Sequence, residues 1–202
     1  MITEQEIATI VEDNEIHDLV SDIKASFLGD EAPLYEMSNH DFFSLILMTP
    51  HVGVALSNGS VSLFEELSLN KKARRFSRGG AFLRKDPVVH AMNWLINGYD
   101  RWEERFLEVL KKIMYLTFDK DHLVIDDNID EKDPELFHRV VLKTPYIFVK
   151  YLKAFFLTED DAITLDRKIS AIEFEKILFL GKKLELDKYK IFKMFCETFE
   201  VK

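Results

Sequence analysis

The chain is short of almost everything that announces a chemistry. Cys196 is the only cysteine among 202 residues, so no disulfide can close within it and a reducing compartment is expected. Seven glycines and five prolines are too few for a long disordered tract. A membrane-spanning helix needs about 20 apolar residues in succession, and runs such as Leu45-Ile46-Leu47-Met48 fall far short of that. The opening Met1-Ile2-Thr3-Glu4-Gln5-Glu6 is acidic and lacks an apolar stretch, so no secretory leader and a cytoplasmic location are expected. Neither a P-loop nor a G-x-G-x-x-G segment occurs, the histidines are scattered, and no period-two alternation is sustained. These absences argue against a disulfide-stapled scaffold, a membrane-spanning protein, a glycine-loop nucleotide binder and a sheet-built fold. No catalytic residue is assigned.

What remains is a composition of 47% apolar and 31% charged residues, which is that of a globular domain. The apolar residues recur at helical spacing almost throughout. Thr3-x-x-Glu6 is a capping box ahead of Ile7, Ile10 and Val11, and Ser38-x-x-Asp41 starts an apolar helix that Pro50 should interrupt. Asp86-Pro87 and Asp133-Pro134 each combine an N-cap with proline at the first helical position. The helix from Pro87 should break or kink at Gly98, and one from Ser62 should end at Gly79-Gly80. Further helices are expected from Pro145, from Ser170 to Leu184 and from Asp187 to Phe199; only His122 to Ile125 resembles a strand. The expectation is an all-α fold: one compact helical bundle spanning 1–202, with halves 1–118 and 133–202 joined by an acidic loop.

Two segments share a spelling. Asn58-Gly59-Ser60-Val61-Ser62-Leu63-Phe64-Glu65 and Asp166-Arg167-Lys168-Ile169-Ser170-Ala171-Ile172-Glu173 both read N/D-x-x-V/I-S-x-x-E, 108 residues apart. Each S-x-x-E is a capping box, and the branched residue before the serine suits a hydrophobic staple. Two helix starts follow, and with them a duplicated helical hairpin. Over residues 52–76 and 145–202 this pattern resembles the tellurite-resistance protein B (TerB-like) superfamily, whose turn reads D-G-x-I-S-x-x-E after an apolar helix. The same module occurs in a membrane-anchored J-domain co-chaperone. The resemblance implies a non-enzymatic helical module for stress or toxic-anion response, often near membranes, acting through another protein and binding a divalent cation such as calcium at acidic residues. Asn58 stands where the family has an acid, and Arg167 where it has glycine. The cation site is therefore expected at the second turn, from Asp160, Asp161, Asp166 and Glu173. A solvated acidic loop is the plain alternative there, as it is for Asp126, Asn128 and Asp130, whose calcium-loop spacing lacks the glycine and glutamate an EF-hand requires.

Charge is segregated. Residues 71–85 carry seven cations and no acid in a chain of net charge −9, while 119–135 hold eight acids and two lysines. Lys71, Arg74, Arg75 and Arg78, with the Gly79-Gly80 turn, form a candidate anion-binding site, because glycine-flanked backbone N–H groups beside arginines suit phosphate. An anionic protein, a membrane surface or a phosphorylated substrate of an enzyme would each fit; the simpler reading is helix-end cations complementing the macrodipole. Overall acidity argues against nucleic acid. A further alternative is a sensory bundle that holds haem at His90 or an apolar molecule among the phenylalanines. Phe148, Tyr151, Leu152, Phe155 and Phe156 are read first as core, and Cys196 as a buried, inert thiol. Glu135-x-x-His138 is half of a di-iron motif and has no second copy.

Overall fold

The computed structural model describes residues 1–78, 86–125, 134–158 and 167–202. Within them the chain is all-α: α1 (Glu4–Val11), α2 (Asn14–Glu31), α3 (Asn39–Ala55), α4 (Leu63–Phe76), α5 (Pro87–Asn97), α6 (Tyr99–Leu116), α7 (Pro134–Lys143), α8 (Tyr146–Phe156), α9 (Ala171–Lys183) and α10 (Lys190–Cys196). Local chemistry sets the starts. Thr3, Ser62 and Ser170 each close a reciprocal capping box with the glutamate three residues on, while Asp13, Ser38 and Asp86 accept first-turn N–H groups.

The centre of the fold is α3. It packs against α1, α2, α4, α5, α6, α8 and α9, and its residues are buried on every side from His40 to Pro50. A helix apolar all round belongs in a core, and that burial carries α3 through Pro50 instead of stopping it there. The proline removes one backbone donor, and the packing on both sides of it holds the helical path. Ser44, fully buried, donates to the carbonyl of Phe76 (3.0 Å) and so ties α3 to the end of α4. A phenylalanine-rich core surrounds this axis. Phe27 meets Phe42, Trp102 and Phe106 with ring centroids 5.0–5.7 Å apart, and Phe148, Tyr151, Leu152, Phe155 and Phe156 are all buried.

The expected break at Gly98 is present: α5 ends at Asn97 and α6 begins at Tyr99. A side chain there would sit 3.2 Å from Arg101, Glu31 and Trp102, so glycine allows the Glu31 carboxylate to take the Trp102 indole N–H (2.6 Å) and Arg101 (2.8 Å) across the junction.

The C-terminal region differs from the helical reading. A short parallel pair, β1 (Arg167–Ile169) and β2 (Phe199–Val201), places Ile169 opposite Val201, and Ile125 bridges to Tyr189. Pairing takes the ends of the expected 187–199 helix and leaves only Lys190–Cys196 helical. The His122–Ile125 strand shrinks to that single bridge behind a 3-10 turn, Lys120–His122. After α9 the chain turns through Glu185 at φ 58°, with Leu186 N–H bonded to the Gly181 carbonyl (2.8 Å) and Glu185 N–H to that of Lys182 (3.0 Å). This is a Schellman cap made by a residue other than glycine.

Candidate functional site

The acidic turn is the first expected site. Asp160, Asp161 and Asp166 lie outside the described residues. Glu173 is described, and its carboxylate is engaged locally: Oε2 accepts from the Ser170 amide (3.0 Å) and hydroxyl (2.5 Å) at the start of α9. Among the described residues no cluster of three or more His, Cys, Asp or Glu side chains is placed to hold a metal ion.

The basic segment divides into two parts. Lys71, Arg74, Arg75 and Arg78 are exposed, while Gly79 and Gly80 lie outside the described residues. Lys72, in the same run of charge, is 1% exposed. Its ammonium donates to the carbonyl of Leu157 (2.8 Å), just past α8, and sits 3.1 Å from His51 Nδ1. Burial first, and the neighbouring Lys72 charge second, push the His51 imidazole well below its ordinary range. The ring therefore stays neutral beside the ammonium. Lys72 is a structural tie between α4 and the end of α8, which linear charge counting cannot distinguish from its exposed neighbours.

The outer face of α4 carries more than cations. At 3.6 residues per turn, Leu63, Arg74, Leu67, Lys71, Phe64 and Arg75 fall within an arc of about 120°. Leu63, Phe64 and Leu67 are 73%, 82% and 60% exposed. Burial falls on the opposite side, where Leu69, Lys72, Ala73 and Phe76 face the core. On this arc the helix shows solvent Leu63, Phe64 and Leu67 followed by cations, while Glu65 and Glu66 of its first turn lie off the arc. Burial first, and then the charges of Lys153, Lys150 and Arg75, lower the pKa of the Met1 amino group, and Lys150 is itself ion-paired with Glu6. Asp41 anchors the far end, accepting from the Arg78 amide (3.0 Å) and the Ser77 hydroxyl (3.3 Å). Burial raises its carboxyl, and the His40 ring, the Arg78 amide and Ser38 outweigh that and hold it below the usual range.

The third feature was not legible in the sequence. A cleft of about 740 Å³ opens between the 3-10 turn Leu56–Asn58, the α5–α6 junction and α9. Its floor is Gly53 of α3, directly under Tyr99, whose hydroxyl donates to the Thr49 carbonyl (3.0 Å). Lys176 crosses the cleft, bound to Glu103 (2.6 Å), with its ammonium 5.5 Å from the Tyr99 ring centre and 4.8 Å from that of Phe179. The available signal was Ile172 and Phe179, one helical face apart by seven residues, which read equally well as core positions.

Asp126, Asn128 and Asp130 lie outside the described residues, while His90 and Cys196 are accounted for by their neighbours. His90 packs its ring against Trp94 (4.7 Å) and Tyr35 (5.4 Å). Cys196 is buried, and burial pushes its thiol up to about 12. No helix among the described residues is long and apolar enough to cross a membrane. Comparison with protein-family models, curated proteins and solved structures yields no match to this chain.

Proposed function

We propose that the chain is a non-catalytic, TerB-like interaction module that docks an acidic protein surface through the outer face of α4. The observation that carries this is the placement of three large exposed apolar side chains, Leu63, Phe64 and Leu67, on the same arc as Lys71, Arg74 and Arg75. Contiguous apolar side chains left in water mark interaction sites, and the adjoining cations select an anionic partner and speed its encounter. The stress or toxic-anion role and a calcium-binding second turn are the parts of the proposal that rest on the TerB-like resemblance alone.

The test is photocrosslinking in cells from a probe at position 67, with Lys71→Glu/Arg74→Glu/Arg75→Glu as the control. An acidic protein captured by the wild-type chain and lost from the charge-reversed one supports the reading. Capture unaffected by the reversal, or none at all, refutes it. A second reading, an anionic membrane surface, is favoured by the 82% exposure of Phe64, because aromatic and basic side chains together suit the headgroup layer. Co-sedimentation with phosphatidylserine vesicles, absent with phosphatidylcholine vesicles, would shift the assignment to lipid.

A further inference from the structure

The cleft beside α9 is separate from the α4 face and has the opposite character. Its two cations are already neutralised in place: Lys176 by Glu103, and Arg101 by Glu31. Asp100 and Glu175 also line it, both exposed, and neither forms an ion pair or side-chain hydrogen bond among the described residues. The charge left over at the cleft is therefore negative.

Part of its wall is apolar, alongside Ser57, Asn97 and the charged groups. Leu56 and Ile96 are half-buried, and Ile172 and Phe179 stand 54% and 43% exposed at the rim. The Ser57 hydroxyl, a further lining group, is buried with no hydrogen-bond partner among the described residues. A volume of about 740 Å³ lies within the range of small-molecule sites, which combine apolar walls with a few fixed polar groups. The floor is rigid, since Gly53 packs under Tyr99 and the Tyr99 hydroxyl is held by α3.

We propose that this cleft binds an amphipathic organic cation, with an apolar body against Leu56, Ile96 and Ile172 and an ammonium or guanidinium group between Asp100 and Glu175. An anionic ligand would meet two uncompensated carboxylates. A neutral apolar ligand would bury those carboxylates without a counter-charge, which is unfavourable. The cation supplies what both leave missing. The same chemistry can come from a free amine or from a lysine side chain beside an apolar residue in a peptide.

The test is calorimetric titration of the full chain with phenethylammonium, the neutral isostere 2-phenylethanol, and the amide-capped dipeptide acetyl-Phe-Lys-amide. Phenethylammonium should bind at least about tenfold more tightly than the alcohol, the ratio that about 1.4 kcal/mol of charge pairing produces. Asp100→Asn/Glu175→Gln should remove that preference, weakening the amine and not the alcohol. Both substitutions are isosteric and exposed, and an unchanged unfolding midpoint confirms that the fold is kept. Tighter binding of the dipeptide than of the amine assigns the natural ligand to a peptide, and the reverse to a free amine. Absence of binding by either cation, equal affinity for amine and alcohol, or a preference that survives the double substitution overturns the proposal.

Discussion

Gly53→Ala is the sharpest test of how the centre of this fold is packed. Gly53 is interior to α3, where alanine is favoured by about 1 kcal/mol on helix propensity alone. The tertiary surroundings reverse that sign. A Cβ at this position would lie 2.1 Å from the Tyr99 hydroxyl oxygen, 2.9 Å from its Cζ and 3.3 Å from Lys176 Cε. Tyr99 is 5% exposed, with its hydroxyl on the Thr49 carbonyl at 3.0 Å, so the ring cannot retreat without giving up that bond. Overpacking of a filled core costs about 1–3 kcal/mol. The buried Tyr99 hydroxyl, left without its acceptor, adds about 1–3 kcal/mol. Set against the propensity gain, the variant should be less stable by about 3 kcal/mol, which for a chain of this size lowers the midpoint by roughly 6–12 °C. Thermal unfolding followed by circular dichroism measures this. Repeating the substitution in Tyr99→Phe removes the clashing oxygen, and the loss should shrink by at least about 1 kcal/mol in the double-mutant cycle. A Gly53→Ala protein as stable as the parent, or a loss unchanged in the phenylalanine background, would refute the reasoning.

Other outcomes follow from the same contacts. The Asp41 carboxyl is held below its ordinary value in the folded state, so its contribution is fully present above about pH 4 and is lost as pH falls below that. The parent should therefore lose midpoint temperature between pH 5 and pH 3, and Asp41→Asn should start lower at pH 7 and decline less steeply. Ser62→Ala and Ser170→Ala each remove the hydroxyl half of a capping box and should each lower stability by about 1 kcal/mol in chemical denaturation. The two sites share no hydrogen bond, so their effects should add. Cys196, buried with its thiol pushed up to about 12, should resist iodoacetamide at pH 8 in the native protein and react on addition of denaturant. Rapid native labelling would show that α10 opens freely.

Helix starts were readable because a cap is a contract between residues three apart. Ser62 with Glu65, Ser170 with Glu173 and Thr3 with Glu6 meet in space as they meet in sequence. The break at Gly98 was readable for the same local reason. Pro50 was misread because its outcome depends on what surrounds α3 and not on its neighbours in the chain. The strand pair was missed because Arg167–Ile169 finds its partner 32 residues away at Phe199–Val201, and segments of three residues are too short to show a period. Of the expected site residues, Glu173 spends its carboxylate on the α9 cap, whereas Lys71, Arg74, Arg75 and Arg78 are exposed.

The amino-acid order by itself determined an all-α chain, the caps at Thr3, Ser38, Ser62, Asp86 and Ser170, and a concentration of positive charge after residue 70, since these depend on interactions within a turn or two of helix. Tertiary structure alone decided that Lys72 is buried and tied to Leu157 while its neighbours stay in water, that Leu63, Phe64 and Leu67 face solvent, and that a cleft opens beside α9. Apolar periodicity shows that a helix has a face to bury; which face is buried, and what covers it, is settled only when the other helices compete for the same core.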